Sequence, residues 1–190
     1  MGSEFNWWLH VLIAVLLVEE IGRRALFAYL GIEKVVPKVD EMTAYSVVER
    51  TAERLVIGAT IPFANEGKQC ATIMDAILRV QLPYEQYDGA LVRGKVELAG
   101  TVREDDYFEA VLIQKRERID LVLKLSIEGR KGNTLEEAIA HLPDFRMDLI
   151  YQETGRLPAH YSKIMLQVTA AEIGALAGVA LVQEGGRKNG

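Results

Sequence analysis

The sequence predicts a mainly β protein, an antiparallel sandwich of about seven strands that follows an N-terminal hydrophobic helix. Three observations lead to this prediction. A run of twelve residues near the start, residues 7–18, is almost wholly apolar. From about residue 43 onward, apolar and polar side chains alternate, which is typical of strands with one face in water. One short helix pattern interrupts the strands between the fifth and the sixth.

Composition supports a folded, non-nucleic-acid-binding protein. The chain has 190 residues, of which 49% are hydrophobic, and this proportion excludes an intrinsically disordered chain. Its 22 basic and 27 acidic residues give a net charge of −5, so no nucleic-acid partner is expected. Cys70 is the single cysteine, which excludes an intramolecular disulfide.

The N-terminal segment divides into two parts. Residues 1–5 resemble residues left by a cloning vector, and residues 6–31 are predicted to form a hydrophobic anchor helix. Within the apolar run His10 is the one polar residue, and the flanking residues extend the helix toward bilayer thickness. Two tryptophans begin the run and two arginines follow it, as membrane interfaces favour. The predicted membrane-anchor residues are Trp7, Trp8, Leu12, Ile13, Leu16, Leu17, Arg23 and Arg24.

Two other interpretations of this segment remain. A signal peptide is disfavoured because no basic residue precedes the run and no small-residue cleavage site follows it. A helix packed against the domain stays open, because apolar runs of about 10–14 residues often behave in that way. If the segment is an anchor, the basic residues that follow it place the globular domain in the cytoplasm.

The body of the chain is predicted to be one β-sandwich over residues 53–169, with residues 32–52 as a connector or first strand. Residues 91–98 show the pattern most clearly, since Val92, Gly94, Val96 and Leu98 alternate with Arg93, Lys95 and Glu97. The seven predicted strands are residues 55–63, 71–82, 91–98, 107–115, 119–127, 147–153 and 164–168.

Turns and caps join these strands. Asn65 is predicted to form an Asx-turn, and Gly67 to supply a positive φ. Thr134 and Glu137 match a capping box, which predicts a short helix that closes one end of the sandwich. Residues 170–190 comprise a C-terminal apolar segment and a polar tail. The apolar segment is too short to span a bilayer, and we expect it to be a last strand or a helix packed on the domain.

The sequence contains no convergent set of catalytic residues. Its three histidines lack metal-ligand spacing, so no metal, cofactor or catalytic residue is predicted. An acidic turn, Glu104 to Asp106, and Cys70 are the residues that an enzyme of this sequence would use.

Two motifs resemble a known class of domains. Ile61 to Lys68 is similar to the strand and Asn-x-Gly turn of the immunoglobulin- and fibronectin-III-like sandwich modules of bacterial envelope proteins. Leu142-Pro143 running to Tyr151 is similar to the corner where a tyrosine of such modules hydrogen-bonds backward. The resemblance implies an immunoglobulin-like sandwich that binds, spaces or assembles.

These observations predict a non-catalytic, membrane-anchored protein that serves as an accessory or docking subunit of a membrane complex. Its expected partners are membrane lipid and a protein bound in the membrane or at a sheet edge. An extracellular adhesion or cell-wall module of the same fold is the alternative, and a small enzyme is a further one.

Overall fold

Two antiparallel sheets, packed face to face, make up the body of the protein. The computed structural model describes residues 2–101 and 107–182. The first sheet contains β1 (Val35–Pro37), β2 (Ser46–Arg50), β3 (Arg54–Asn65), β5 (Ala90–Leu98) and β7 (Arg118–Gly129). Its order is β1-β3-β7-β5. Both β1 and β2 pair with the same edge of β3, β1 with residues 63–65 and β2 with residues 55–58.

The second sheet contains the remaining strands of the described residues. These are β4 (Ala71–Gln81), β6 (Val111–Ile113), β8 (Phe145–Thr154) and β9 (His160–Val168), in the order β6-β4-β8-β9. A bulge in β4 interrupts its register with β8 between Met74 and Ile77, and Asp75 there has a φ of 52°. The predicted mainly β, antiparallel fold is therefore confirmed.

The core lies between the two sheets, where alternate side chains of each strand are buried. In β3 the odd-numbered residues face inward, with Ile57, Ile61 and Phe63 fully buried. Leu121, Leu123, Leu125 and Ile127 of β7 repeat this pattern, opposite Met147 and Leu149 of β8. Period-2 burial is the physical origin of the alternation in the sequence.

Two short helices cover the end of the sandwich at which β7 finishes and β8 begins. The helix α2 (Leu135–Ala140) starts at the Thr134–Glu137 capping box, as predicted, and buries Leu135, Ala138 and Ile139. The helix α3 (Ala170–Ala177) starts at a second capping box, Thr169 with Glu172, and buries Ile173 and Ala177. The C-terminal apolar segment is thus a packed helix, and Gly178 ends it with a φ of 66°.

One strand prediction needs correction, and an alternative left open for residues 32–52 is decided in favour of strands. The predicted strand 107–115 is reduced to the three residues of β6, and two short strands, β1 and β2, precede the first predicted one. Residues 40–54 contain β2, which follows a 3-10 turn at Val39–Glu41. The acidic turn at residues 104–106 and the tail after residue 182 lie outside the described residues.

The helix α1 (Gly2–Leu30) precedes the sandwich. Within the part of the chain that the structure describes, no helix combines the length and the apolar character needed to cross a membrane.

Candidate functional site: the N-terminal helix and its junction with the sandwich

The predicted anchor residues all lie on α1 and point into solvent. Trp7 and Trp8 meet edge to face with ring centroids 4.7 Å apart. The exposed fractions of the predicted apolar side chains fall between 45% for Ile13 and 62% for Trp8. Arg23 and Arg24 both donate to the Glu20 carboxylate, at 2.6 and 2.7 Å. The structure places these residues along one free helix rather than around a pocket.

The linker of residues 31–34 ties α1 to the sandwich through its backbone carbonyls. The Leu30 carbonyl accepts from Gln69 Nε2 at 2.7 Å, and the Gly31 carbonyl accepts from Arg156 Nη1 at 3.2 Å. The Ile32 carbonyl accepts from the Lys68 backbone N–H at 2.9 Å. The linker is therefore held by two turns, the one between β3 and β4 and the one between β8 and β9.

Asn65 is the central hydrogen-bonding group of this junction, with only 1% of its surface exposed. Its Oδ1 accepts from the backbone N–H of Gly67 at 3.0 Å, which confirms the predicted Asx-turn, and from that of Lys34 at 3.3 Å. Its Nδ2 donates to the carbonyls of Gln69 and Ile113, at 2.7 and 3.2 Å. The Asn65 side chain thus joins the linker to the turn between β3 and β4 and to the end of β6.

The predicted reason for Gly67 was wrong. Gly67 is not among the glycines with positive φ. It is required for space, because a Cβ there would lie 2.5 Å from both the Ile32 carbonyl oxygen and the Lys34 nitrogen. The linker passes against the bare backbone of this turn.

Glu33 joins the linker to the β8–β9 turn. It is 3% exposed, and its carboxylate accepts from the backbone N–H groups of Arg156 and Leu157 at 2.9 and 2.8 Å. Burial alone would raise the pKa of Glu33, but hydrogen bonds from its own backbone N–H and from those of Leu157 and Arg156 outweigh burial and hold the pKa below the usual value. Gly155 lies behind the carboxylate, since a Cβ there would be 2.5 Å from Glu33 Cδ.

A second buried carboxylate, Glu153, lies beside this contact. It accepts from the Val35 backbone N–H at 3.3 Å and lies 3.8 Å from His160 Nε2. Burial raises the pKa of Glu153, against the opposing effect of the Val35 N–H. Sequence reasoning identified neither glutamate, because Glu33 and the residues that bind it are more than 120 positions apart.

Glu97 was predicted to face water, and the structure corrects this. On the outer face of the first sheet, Lys95 and Lys124 are direct cross-strand partners. Glu97 lies between them, 3.1 Å from Lys95 Nζ and 2.5 Å from Lys124 Nζ, and is only 7% exposed. Burial would raise the pKa of Glu97, but the hydrogen bonds from Lys124 and Lys95 lower it.

Of the residues proposed for catalysis, only Cys70 lies in the described part of the chain, because the acidic turn at residues 104–106 is outside it. The exposed Cys70 thiol donates to Gln114 Oε1 at 3.1 Å, with no histidine beside it. Among the described residues, no group of three histidines, cysteines or acids is arranged to hold a metal ion. A cavity of about 310 Å³ opens between β5 and β6, and its lining includes Val96, Leu98, Phe108 and Val111.

Tyr151, which the family resemblance placed at a tyrosine corner, has a different role. It is buried in β8, where its ring packs edge to face on Phe63 at 5.1 Å between centroids. Burial raises its pKa, against a hydrogen bond with Ser162 of the neighbouring strand. The residue supports the core and its own sheet.

Comparison with known proteins adds little to these observations. No protein-family profile and no curated protein matches the chain. Among solved structures, the GAE domain of GGA2p from Saccharomyces cerevisiae has a TM-score of 0.33 and 8% identity, covering 73% of this chain and 98% of its own. The yeast GGA1 GAE domain has a TM-score of 0.30 and 8% identity, covering 65% and 97%. Likeness at this level carries no argument about function.

Proposed function

We propose that this chain is a non-catalytic β-sandwich protein that α1 attaches to a membrane, where the sandwich serves as a docking subunit of a membrane complex. The exposed apolar surface of α1 carries the proposal. Among the side chains described from residue 6 onward, twelve large apolar ones of α1 are exposed and outside the core: Trp7, Trp8, Leu9, Leu12, Ile13, Val15, Leu16, Leu17, Val18, Ile21, Leu26 and Tyr29. Exposed apolar area on this scale marks an interaction surface.

The distribution of these side chains favours lipid over a single protein groove. Residues 15–18 are four consecutive exposed apolar residues, and at about 100° per residue they point to every side of the helix. A helix that docks in one groove needs a single apolar stripe, whereas a helix that is apolar all round fits a surrounding apolar medium. Residues 7–18 extend over about 18 Å, with Trp7 and Trp8 at one end and the Glu20–Arg23–Arg24 cluster beyond the other.

Flotation of the full chain with phosphatidylcholine vesicles after an alkaline carbonate wash tests the attachment. We expect the unmodified chain to float and the double variant Ile13→Glu/Leu17→Glu to stay in the soluble fraction, because two carboxylates oppose insertion. The matched control is Ile77→Glu/Leu112→Glu, which changes two exposed side chains of the sandwich and should float normally. Release of the unmodified chain by carbonate would refute the attachment.

The free edge of the second sheet supports the docking role. The strand β9 pairs with β8 on one side without a register shift over nine residues, and no strand within the described residues covers its other side. Tyr161 and Met165 on β9 are 69% and 67% exposed. A long, regular, uncovered edge is suited to pairing with a strand from a partner.

The native mass after mild detergent extraction from the protein's own membranes tests this role. We expect the chain to migrate in a complex much larger than its 21.2 kDa, and Met165→Lys to reduce the amount of that complex. Ile77→Lys is the control, because Ile77 is 54% exposed on the interior strand β4 of the same sheet. A monomer or a homodimer would contradict the docking role.

The proposed topology places the sandwich on the cytoplasmic side. The basic residues that follow the apolar run support this side, because anionic lipids are concentrated in the cytoplasmic leaflet. Cys70 is exposed, so a membrane-impermeant maleimide should label it in permeabilised cells but not in intact ones. Labelling in intact cells would instead support the extracellular alternative.

A further inference from the structure

We infer that the end of the sandwich from which α1 leaves docks on the anionic headgroups of the membrane that holds α1. This inference rests on the proposed membrane attachment. We call this end the exit end, and it consists of the three turns at residues 66–69, 114–117 and 155–158. Its chemistry differs from that of the chain as a whole, which carries a net charge of −5.

Hydrogen bonds through Asn65 and Glu33 hold the turns of the exit end in place. The Asn65 carbonyl accepts from the Arg116 N–H at 3.0 Å, and the Asn65 N–H donates to the Glu117 carbonyl at 2.9 Å. Glu33 binds the third turn through Arg156 and Leu157. The linker is bound by the same groups, so the residues that directly follow α1 are held against this surface.

Three cations at the exit end have no acidic partner among the described residues. Lys68, Lys115 and Arg116 are exposed, and none takes part in the ion pairs found in the described ranges. The acids nearby are already engaged. Glu66 pairs with Lys34 and Lys38 at 3.1 and 2.6 Å, and the Glu117 carboxylate accepts from the Gln114 backbone N–H at 2.5 Å.

The spacing along α1 places these cations near the headgroups. Arg24 lies six residues before Leu30, which is about 9 Å along a helix. The headgroup layer is about 5–7 Å thick and the Debye length is about 8 Å at physiological ionic strength. If the arginines lie at the membrane surface, the exit end is within electrostatic range of it. Glu19 and Glu20 offset the charges of Arg23 and Arg24, so the basic charge available to lipid comes from the turns.

An anionic leaflet attracts basic groups near its surface and repels the acidic remainder of the chain. Both effects orient the sandwich with its exit end toward the membrane.

Arg156 contributes a fourth exposed charge at the exit end. Its guanidinium also binds the Gly31 carbonyl, so Arg156 is left unchanged in the experiment that follows.

Cys70 provides the probe for the experiment, because it is exposed and follows the first of the three turns. The full chain carries a donor fluorophore on Cys70 and is bound to vesicles with acceptor-labelled headgroups. One set of vesicles is phosphatidylcholine alone, and the other is one part phosphatidylglycerol to two parts phosphatidylcholine. We expect about twofold higher energy transfer on the anionic vesicles, and the excess should disappear at high salt.

The triple variant Lys68→Gln/Lys115→Gln/Arg116→Gln should lose the excess on anionic vesicles. The control Arg79→Gln/Arg93→Gln/Arg146→Gln also removes three exposed cations, but from the halves of β4, β5 and β8 that lie away from the exit end. This control should keep the excess energy transfer on anionic vesicles. If the chain stays on both kinds of vesicle with equal transfer, or if the triple variant keeps the excess, the inference is wrong while the attachment stands. If the chain leaves both kinds of vesicle, the proposed function fails, and the inference fails with it.

Discussion

Glu33 fixes the connection between α1 and the sandwich through its two carboxylate oxygens. Glu33→Gln should lower the free energy of unfolding by about 2 kcal/mol at neutral pH, because the charge-assisted hydrogen bonds from two backbone N–H groups to the buried Glu33 side chain are weakened. Urea denaturation measures the loss. Glu85→Gln, at an exposed position with no hydrogen bond in the described ranges, should change stability by less than about 0.5 kcal/mol.

The pH dependence of the same residue provides an independent check. The pKa of Glu33 is lower in the folded protein than its ordinary value of 4.5, so the stabilisation that Glu33 contributes is present above pH 4.5. It is lost as the pH falls through the folded value. The difference between the unmodified chain and Glu33→Gln should therefore shrink in acid, and a constant difference from pH 7 to pH 3 would contradict this assignment.

Replacing either of two tyrosines with phenylalanine should change the free energy of unfolding in opposite directions. The Tyr45 hydroxyl is buried without a hydrogen-bond partner among the described residues, and burial raises its pKa to about 12. Tyr45→Phe should therefore raise the free energy of unfolding by about 1 kcal/mol, since it removes an unsatisfied polar group. Tyr151→Phe should lower it by about 1 kcal/mol, because Tyr151 interacts with Ser162. Thermal unfolding of both variants measures the two signs, and equal signs would refute the distinction.

At the level of elements, the capping box of α3 holds a helix that covers one end of the core. Thr169 Oγ1 accepts from the Glu172 backbone N–H, and Ile173 and Ala177 are buried in the next turns. Thr169→Ala should cost about 1 kcal/mol of unfolding free energy by chemical denaturation. Thr101→Ala, at an exposed position outside any helix, is the control and should cost much less. Equal losses would show that the cap contributes nothing specific.

At the level of the whole molecule, the sandwich should be stable without α1. Among the described side chains, none of α1 belongs to the core, since the buried hydrophobic cluster begins at Leu55. A chain that begins at residue 31 keeps the linker and should unfold with a free energy within about 1 kcal/mol of the full chain, compared in the same mild detergent. It should also float poorly with vesicles. A loss of several kcal/mol would show that α1 belongs to the folded unit.

The sequence predicted correctly those features of the fold that depend on residues a few positions apart, such as the alternation of buried and exposed side chains along a strand. The alternation in residues 119–127 gave the inward face of β7 correctly, because every second side chain of a strand meets the opposite sheet. The α2 capping box and the Asn65 Asx-turn were also predictable, since each involves residues two or three positions apart. The strand predicted at residues 107–115 was too long, because Phe108 is buried although it lies outside any strand. A buried apolar residue there was therefore no evidence for a strand.

The sequence by itself determined a mainly β antiparallel protein with an apolar helix-forming segment in front of it, because those features depend on periodicity and composition. The tertiary structure alone decided how the two are joined. It buried Glu33 against backbone groups more than 120 residues away, and it brought Gly67 against the linker. It also gathered Lys68, Lys115 and Arg116 at the end from which α1 leaves. These contacts join residues that are far apart in the sequence, and they form only because the sheet topology brings their turns together. No local pattern in the sequence predicts which turns become neighbours.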